Sequence, residues 1–329
     1  LRLVDDLEGI GSIAADHGFA IRASDKGKMA SQLLGMLEDF HELRFLSGSN
    51  VISFLRSYVT INHSAMPMTQ MLDYKSALDY EEITRGLRSQ YSNHVFVDSF
   101  LRWLLRRRLL RTGIIVRCKK CYDRQFVLID MVRGRIRCQG CRSFLEIPLD
   151  DFRHLRLHYV PNSLLVNSVR QGFLPHLLAL HLLASHDESR SYGNLTFFYP
   201  GIEVMRRSKA VGELDFALVF DSEIITGECK LTSDLTADDV TTTITLSKSI
   251  GADVVSFCTT SSFPPQTVRK IEKSSRKKGV KSVVFDERDL TNQSTWRWMW
   301  RERARRGEKA IEPDQKVFCD DVIRGFGRE

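Results

Sequence analysis

Glu213 and Asp215 stand two residues apart in GELDFALVF, and Glu228 and Lys230 stand two apart in SEIITGECK, the apolar segment that follows. Carboxylates and an ammonium group brought together in this way could hold a hard divalent ion and move a proton. A hairpin turning at Asp221 and Ser222 with a two-residue loop would bring them together. It sets Phe220 opposite Glu223, Asp215 opposite Glu228 and Glu213 opposite Lys230. Strand alternation then puts the four charged side chains on one face, with Leu214, Phe216, Leu218 and Cys229 on the other. Facing carboxylates with Cβ atoms within about 5.5 Å repel unless a proton or a cation lies between them. Mg2+, with Mn2+ as its substitute, suits that position because it takes one or two carboxylates and completes its shell with water and phosphate oxygens. Lys230 would orient or deprotonate an attacking water and stabilise charge growing on the phosphate. This is the chemistry of phosphodiester hydrolysis. The alternative, a solvated hairpin rim, leaves unexplained why like charges meet at one level.

Cys118, Cys121, Cys138 and Cys141 carry a second chemistry. Their C-x2-C-x16-C-x2-C spacing matches a zinc ribbon, in which two CxxC turns at the ends of short strands supply four thiolates in a tetrahedron. QFVLIDMV and RIRC read as its strands, with Val132, Arg133 and Gly134 turning the chain. A closed four-thiolate site leaves no position for water, so Zn2+ is expected to be structural here. The ribbon would display Arg117, Lys119, Lys120, Arg135 and Arg137 either to nucleic-acid phosphates or to a neighbouring domain.

The elements that must position these groups follow from the patterning. PNSLLVNSVRQGFLPHLLALHLLASH reads as one long apolar helix that Pro175 kinks or splits. LTFFYPGIEVM, ELDFALVF and SEIITGECKL read as strands. LTADDVTTTITLSKSIG reads as a helix with a capping box at Thr236 and Asp239 and a stop at Gly251. A strand, a helix opened by proline and closed by glycine, and a last strand complete the order αβββαβαβ, a mixed sheet flanked by helices.

D-x12-E-x-K on the second and third strands of that order resembles the PD-(D/E)XK, or restriction-endonuclease-like, nuclease superfamily. Restriction enzymes, Holliday-junction resolvases and transposon-end nucleases belong to it. The resemblance covers about residues 151–290. It implies a central mixed sheet with helices on both faces and metal-dependent cleavage of nucleic acid. It also implies that Asp215 and Glu228 are the metal carboxylates, Lys230 the catalytic lysine, and the backbone carbonyl of Cys229 a further metal ligand. Many members carry another Glu on the helix before the sheet. The stretch from Ser163 to Ser185 has no acid, and Gln171 or His176 sits where one would be sought. Glu213 could compensate as a third carboxylate or pair with Lys230. His176 and His181 otherwise read as residues of the core edge.

The remaining organisation is coarser. Residues 1–78 are expected to be α-helical, 79–116 winged-helix-like or a plain helical hairpin with a stop at Gly113, 117–147 the zinc ribbon, 148–292 the nuclease-like domain, and 293–329 a terminal helix and tail. In the last of these, WRWMWRERARR could stack on unpaired bases or cap the core. Of the 329 residues, 43% are hydrophobic and 27% charged, with no apolar run near the ~18 residues of a membrane span. Three of the seven cysteines, Cys229, Cys258 and Cys319, are unpaired singles, which indicates a reducing, cytoplasmic setting. No secretory signal opens the chain.

Net charge is +7, and residues 102–156 hold 15 Lys and Arg against 5 Asp and Glu. A polyanionic partner, DNA first, is expected there; a solvated basic face is the alternative. The first residue is Leu1, so an upstream domain is expected, and an ATPase or helicase would couple cleavage to translocation. A bacterial restriction or anti-phage role fits this composition of parts. The rival from another class is a nuclease-like module that binds nucleic acid or scaffolds without turnover.

Overall fold

Apolar residues at helical spacing open the chain, and α1 (Leu7–Asp16) buries Ile10 and Ala14. The computed structural model describes residues 7–38, 40–61, 77–87, 94–132, 135–147, 156–184, 195–220 and 222–291. They fall into two units, the first Leu1–Ser49 with Gln171–Glu329 and the second Asn50–Arg170. In the first, α1 is followed by β1 (Ala20–Ala23), a strand inside a stretch whose sequence reads as helical, and by α2 (Asp25–Leu34). Ser24 caps α2, its Oγ accepting from the Gly27 N–H at 3.0 Å.

The second unit takes up α3 (Ser49–Ile61), β2 (Leu78–Asp79), α4 (Tyr80–Leu87), α5 (His94–Arg106), β3 (Leu110–Arg117), β4 (Arg124–Leu128), β5 (His158–Pro161) and α6 (Ser163–Arg170). Its strands form an antiparallel sheet in the order β2-β5-β3-β4. The helices and strand expected over 79–116 are α4, α5 and β3, but α5 stops before Arg108 (φ 54°), not at Gly113. Gly113 lies inside β3, where a Cβ would come 2.3 Å from the Val127 carbonyl oxygen, so the glycine serves close strand approach. QFVLIDMV is strand only to Leu128 and then a 3-10 turn over Ile129–Met131. RIRC gives a single bridge, Arg137 with Phe144, because the Cys138 amide turns back to the Ser143 carbonyl. Arg133 and Gly134 lie outside the described residues, as does the tryptophan-rich segment 296–306.

The chain returns to the first unit with α7 (Phe173–Ala184). The long apolar helix is split, but at Gln171 and Gly172 (φ 79°) rather than at Pro175. Pro175 sits in the first turn of α7, where its missing N–H would have no helical acceptor. Then come β6 (Leu195–Arg206), β7 (Lys209–Phe220), β8 (Glu223–Lys230), α8 (Ala237–Ser249), β9 (Val254–Thr259), α9 (Pro265–Lys278), β10 (Lys281–Phe285) and α10 (Glu287–Thr291). The Thr236–Asp239 capping box starts α8, and Gly279 (φ 70°) ends α9.

This unit is a mixed sheet flanked by helices, in the order β1-β6-β7-β8-β9-β10. β1, β6, β7 and β8 pair antiparallel, while β8, β9 and β10 run parallel. Ile10 and Ala14 of α1 and Leu246 and Ile250 at the end of α8 cover Ile202, Val204, Leu214 and Ala217. Val240 and Ile244 of α8 meet Val255 and Phe257 of β9 and Ile271 of α9. α7 is apolar all round because it packs against the sheet, α2 and α10 at once.

Gly27 of α2 lies backbone to backbone on β6. A Cβ there would stand 2.1 Å from the Gly201 carbonyl oxygen and 2.2 Å from that of Pro200, while Gly201 itself has φ 73°. Gly27→Ala is therefore expected to lower Tm by roughly 5–10 °C, since neither backbone partner can swing aside. A thermal melt unchanged from wild type would contradict this packing.

Candidate active site and four-cysteine cluster

The hairpin register matches the two-residue loop: β7 and β8 pair from Phe220 with Glu223 down to Phe216 with Gly227. Asp221 itself lies outside the described residues, and Ser222 has φ 66°. Continued by one step, the register sets Asp215 opposite Glu228. The strands part at that step. The Asp215 Oδ2 accepts the Cys229 N–H at 2.7 Å, so the carboxylate takes an amide that a regular ladder would give to backbone. Opposite Asp215 in β6 is Gly201, flanked by the pairs Pro200 with Phe216 and Ile202 with Leu214.

The break redistributes the four charged groups instead of leaving them on one face. Asp215, 5% exposed, points its Oδ1 at His176 Nε2, 3.1 Å away on α7, with Lys26 Nζ of α2 at 3.9 Å. Glu228 pairs with Lys230 at 2.8 Å and receives the Thr243 hydroxyl of α8 at 3.4 Å. Lys230 also approaches Asp239, the capping-box residue of α8, at 3.8 Å. Glu213 neither pairs with Lys230 nor joins the other carboxylates. It faces Glu203 of β6, and its Oε1 is buried with no hydrogen-bond partner. The β7–β8 pairing stops at Phe216 with Gly227, and beyond it the Asp215 carboxylate, not backbone, takes the Cys229 N–H.

The environments drive the two carboxyls apart. Burial alone would raise Asp215, but His176, the Cys229 amide and Lys26 hold it below its ordinary value of 3.8. Burial and then the Asp215 charge push Glu228 above its ordinary 4.5, only partly offset by Lys230. Burial works against the ammonium of Lys230, but Glu228 and Asp239 outweigh it and keep the group above its ordinary 10.5. A carboxyl raised on folding favours the folded state while protonated. That stabilisation is complete below pH 4.5 and is lost as pH rises through the raised value. Glu228→Gln is thus expected to raise Tm at pH 7 in buffer without added divalent ions, with the gain vanishing below about pH 4.5. Melts across that range read the effect, and a lower Tm at pH 7 would contradict it.

His176 is the contributor that its sequence context hides. Its Nδ1 is 2.7 Å from the Gly172 carbonyl oxygen, which can only accept, so Nδ1 carries a proton. Nε2 then faces Asp215 either as a second N–H or as a lone pair, and a lone pair beside a carboxylate is tolerable only with a cation between them. A His176 ring nitrogen, an Asp215 oxygen and Cys229 Sγ lie within 4.8 Å of one another, and all three residues are buried. Cys229 also has its thiol pushed well above 9.0 by burial, so oxygen and imidazole are the readier donors. His176, Asp215 and Cys229 together could hold a metal ion. Nothing in SEIITGECK or the apolar helix announces Lys26 or Thr243, which α2 and α8 bring to Asp215 and to Glu228.

The four cysteines of the second unit converge. Their Sγ atoms all lie within 4.8 Å of one another, with Cys118 to Cys141 at 3.6 Å and Cys121 to Cys138 at 3.5 Å. A tetrahedral zinc with Zn–S of about 2.3 Å spaces its sulfurs by about 3.8 Å, so the cluster could hold a metal such as zinc. The Ser143 hydroxyl stands 3.4 Å from Cys118 Sγ and 2.8 Å from Cys141 Sγ. That contact holds both thiols below 9.0, Cys118 at about 6. Arg117, Lys119, Lys120, Arg135 and Arg137 are all exposed. Lys119 pairs with Glu146.

No described helix is long and apolar enough to cross a membrane. No protein-family model and no curated protein matches the sequence. Among solved structures, the crystal structure of protein VC1899 from Vibrio cholerae is similar with TM-score 0.46 and 11% identity, over 90% of this chain and 62% of that one. The chain therefore spans less than two thirds of that protein's length.

Proposed function

We propose that the protein is a metal-dependent nuclease of the PD-(D/E)XK type that hydrolyses phosphodiester bonds in DNA, with its four cysteines forming a structural zinc ribbon. The observation that carries this is the parting of β7 and β8 at Asp215, where the Asp215 carboxylate meets His176 and the charge of Asp215 is felt by Glu228, itself paired with Lys230. Asp215, Glu228, His176 Nε2 and the Cys229 carbonyl would hold Mg2+ or Mn2+, with His176 in the place where other members carry a helix acid. A bound divalent ion supplies a polarised phosphate and a more acidic water. Lys230, held charged by Glu228 and Asp239, orients the water and balances charge on the phosphate. A role in bacterial restriction or anti-phage defence, alongside an ATPase or helicase, fits the charged 102–156 segment and the parts assembled.

Labelled DNA and RNA incubated with Mg2+ or Mn2+ test the reading. DNA should be cut, and Lys230→Ala should slow cutting about 10²-fold. Equal cutting by both proteins would sink the assignment. A second reading, a nuclease-like module that binds without cutting, is favoured by the His176–Asp215 contact, because an imidazolium can neutralise Asp215 without a metal. Binding of DNA with no cutting under any of these ions would decide for it.

A further inference from the structure

The two cysteine turns share one backbone plan. In each, the amide of the first cysteine bonds to a carbonyl five residues on, Cys118 to Asp123 and Cys138 to Ser143. In each, the amide four residues on bonds back to that cysteine's carbonyl, from Tyr122 and from Arg142. Tyr122 and Arg142 both have φ 62°, a conformation that glycine adopts freely and that costs a bulky L-residue. Neither residue repays that cost by burial, since both are exposed.

The side chains displayed are matched as well. The first turn exposes Arg117, Tyr122 and Arg124, and the second exposes Arg137, Arg142 and Phe144. Position by position, Arg117 corresponds to Arg137, Tyr122 to Arg142 and Arg124 to Phe144, so each turn presents one ring and two guanidinium groups, with the ring at the second of the three positions in one turn and at the third in the other. Tyr122 is 65% and Phe144 54% exposed. Arg117 lies over the Tyr122 ring and Arg137 over the Phe144 ring, each with Cζ 5.0 Å from the centroid. None of the four arginines has a carboxylate partner among the described residues.

From this pairing we infer that the two cysteine turns form a binding surface for an unpaired segment of a DNA strand, each ring stacking on a base and the arginines meeting the flanking phosphates. The rings have a face not taken by arginine, and bases present the same π-face whatever their sequence. The exposed guanidinium groups supply the complementary charge. A duplex keeps its bases stacked inside and cannot use the rings. The inference rests on the nuclease reading only for the choice of DNA, and it gives that reading a way to engage frayed or single-stranded substrate.

Anisotropy of fluorescein-labelled oligothymidylate, measured on the full chain carrying Lys230→Ala, separates binding from cutting, so the outcome does not depend on catalysis. Tyr122→Gly relaxes the backbone while removing a ring, so lost binding cannot be blamed on lost folding. Zinc content and Tm provide the same control for Phe144→Ala. Each change should weaken binding roughly tenfold, the pair should do so multiplicatively, and a duplex should bind more weakly and ignore both. Arg124→Ala with Arg142→Ala should flatten the salt dependence. A double ring variant that keeps its zinc and binds like wild type would overturn the inference. Tighter binding of the duplex or of oligouridylate, or no binding of any strand, would do the same.

Discussion

On the proposed nuclease reading, Asp215→Asn is expected to lower the rate of DNA cleavage in Mg2+ by about 10³-fold or more while leaving the fold in place. The amide oxygen of the new side chain can still accept the Cys229 N–H, and its NH2 can donate to His176 Nε2 once the histidine proton rests on Nδ1 against Gly172. What is lost is the charge on which ion binding and phosphate activation depend in the proposed mechanism, and each 1.36 kcal/mol is about tenfold in rate. Stability should shift only modestly. A carboxyl lowered on folding contributes stability above its ordinary pKa of 3.8, which is lost as pH falls through the lower folded value. The variant should thus melt slightly below wild type at pH 7, opposite in sign to Glu228→Gln. Rates and melts on the same preparations check both halves. Retention of more than about a tenth of the wild-type rate would remove Asp215 from the chemistry.

The contrast between these two carboxyls shows what sequence can and cannot convey. Turn length and alternation suffice to bring β7 and β8 into register, because apolar residues that must face the core fix it. The capping box at Thr236 and the proline and glycine limits of α9 are local backbone devices and read equally well. What alternation cannot convey is where a ladder stops. The Asp215 carboxylate takes the place of a backbone acceptor, and nothing about an Asp in GELDF announces that. The same limit hides Lys26. Its approach to Asp215 requires β1 to pair with the far end of β6 and Gly27 to seat on Gly201, contacts spanning most of the chain.

Punctuation residues misled for a related reason. Gly113 and Pro175 read as helix breakers, yet one permits a strand to approach β4 and the other occupies a first helical turn. A glycine or proline states which backbone angles are allowed, and the tertiary neighbours decide which use is made of them. His176 belongs to the same class. On an apolar helix its side chain looks like core, and it is core, 3% exposed. Its second nitrogen nonetheless ends on a buried carboxylate, so one core residue also belongs to the proposed site.

The cysteines are the opposite case, because their chemistry is written in spacing alone, and the largest stability effect in the molecule is expected there. Cys138→Ser should abolish zinc binding and unfold residues 117–147. The four sulfurs sit within 4.8 Å, so their thiolate forms would repel strongly without a cation among them. The surrounding core is small: Cys118 and Cys138 are themselves members of the cluster formed by Ile114, Val116, Val127, Val132 and Leu145. That little apolar surface cannot hold two left-handed turns by itself, so metal binding becomes folding free energy, on the order of 10 kcal/mol for structural zinc near neutral pH. A serine in place of Cys138 puts a poor ligand and an unpaired hydroxyl into that buried spot. Metal content should fall to near zero, amides 118–145 should lose protection from hydrogen exchange, and Cys229→Ser should leave both unchanged, since its sulfur belongs to the other unit. Full zinc content in Cys138→Ser would mean that the four thiols are not the ligands, and their convergence would need another cause.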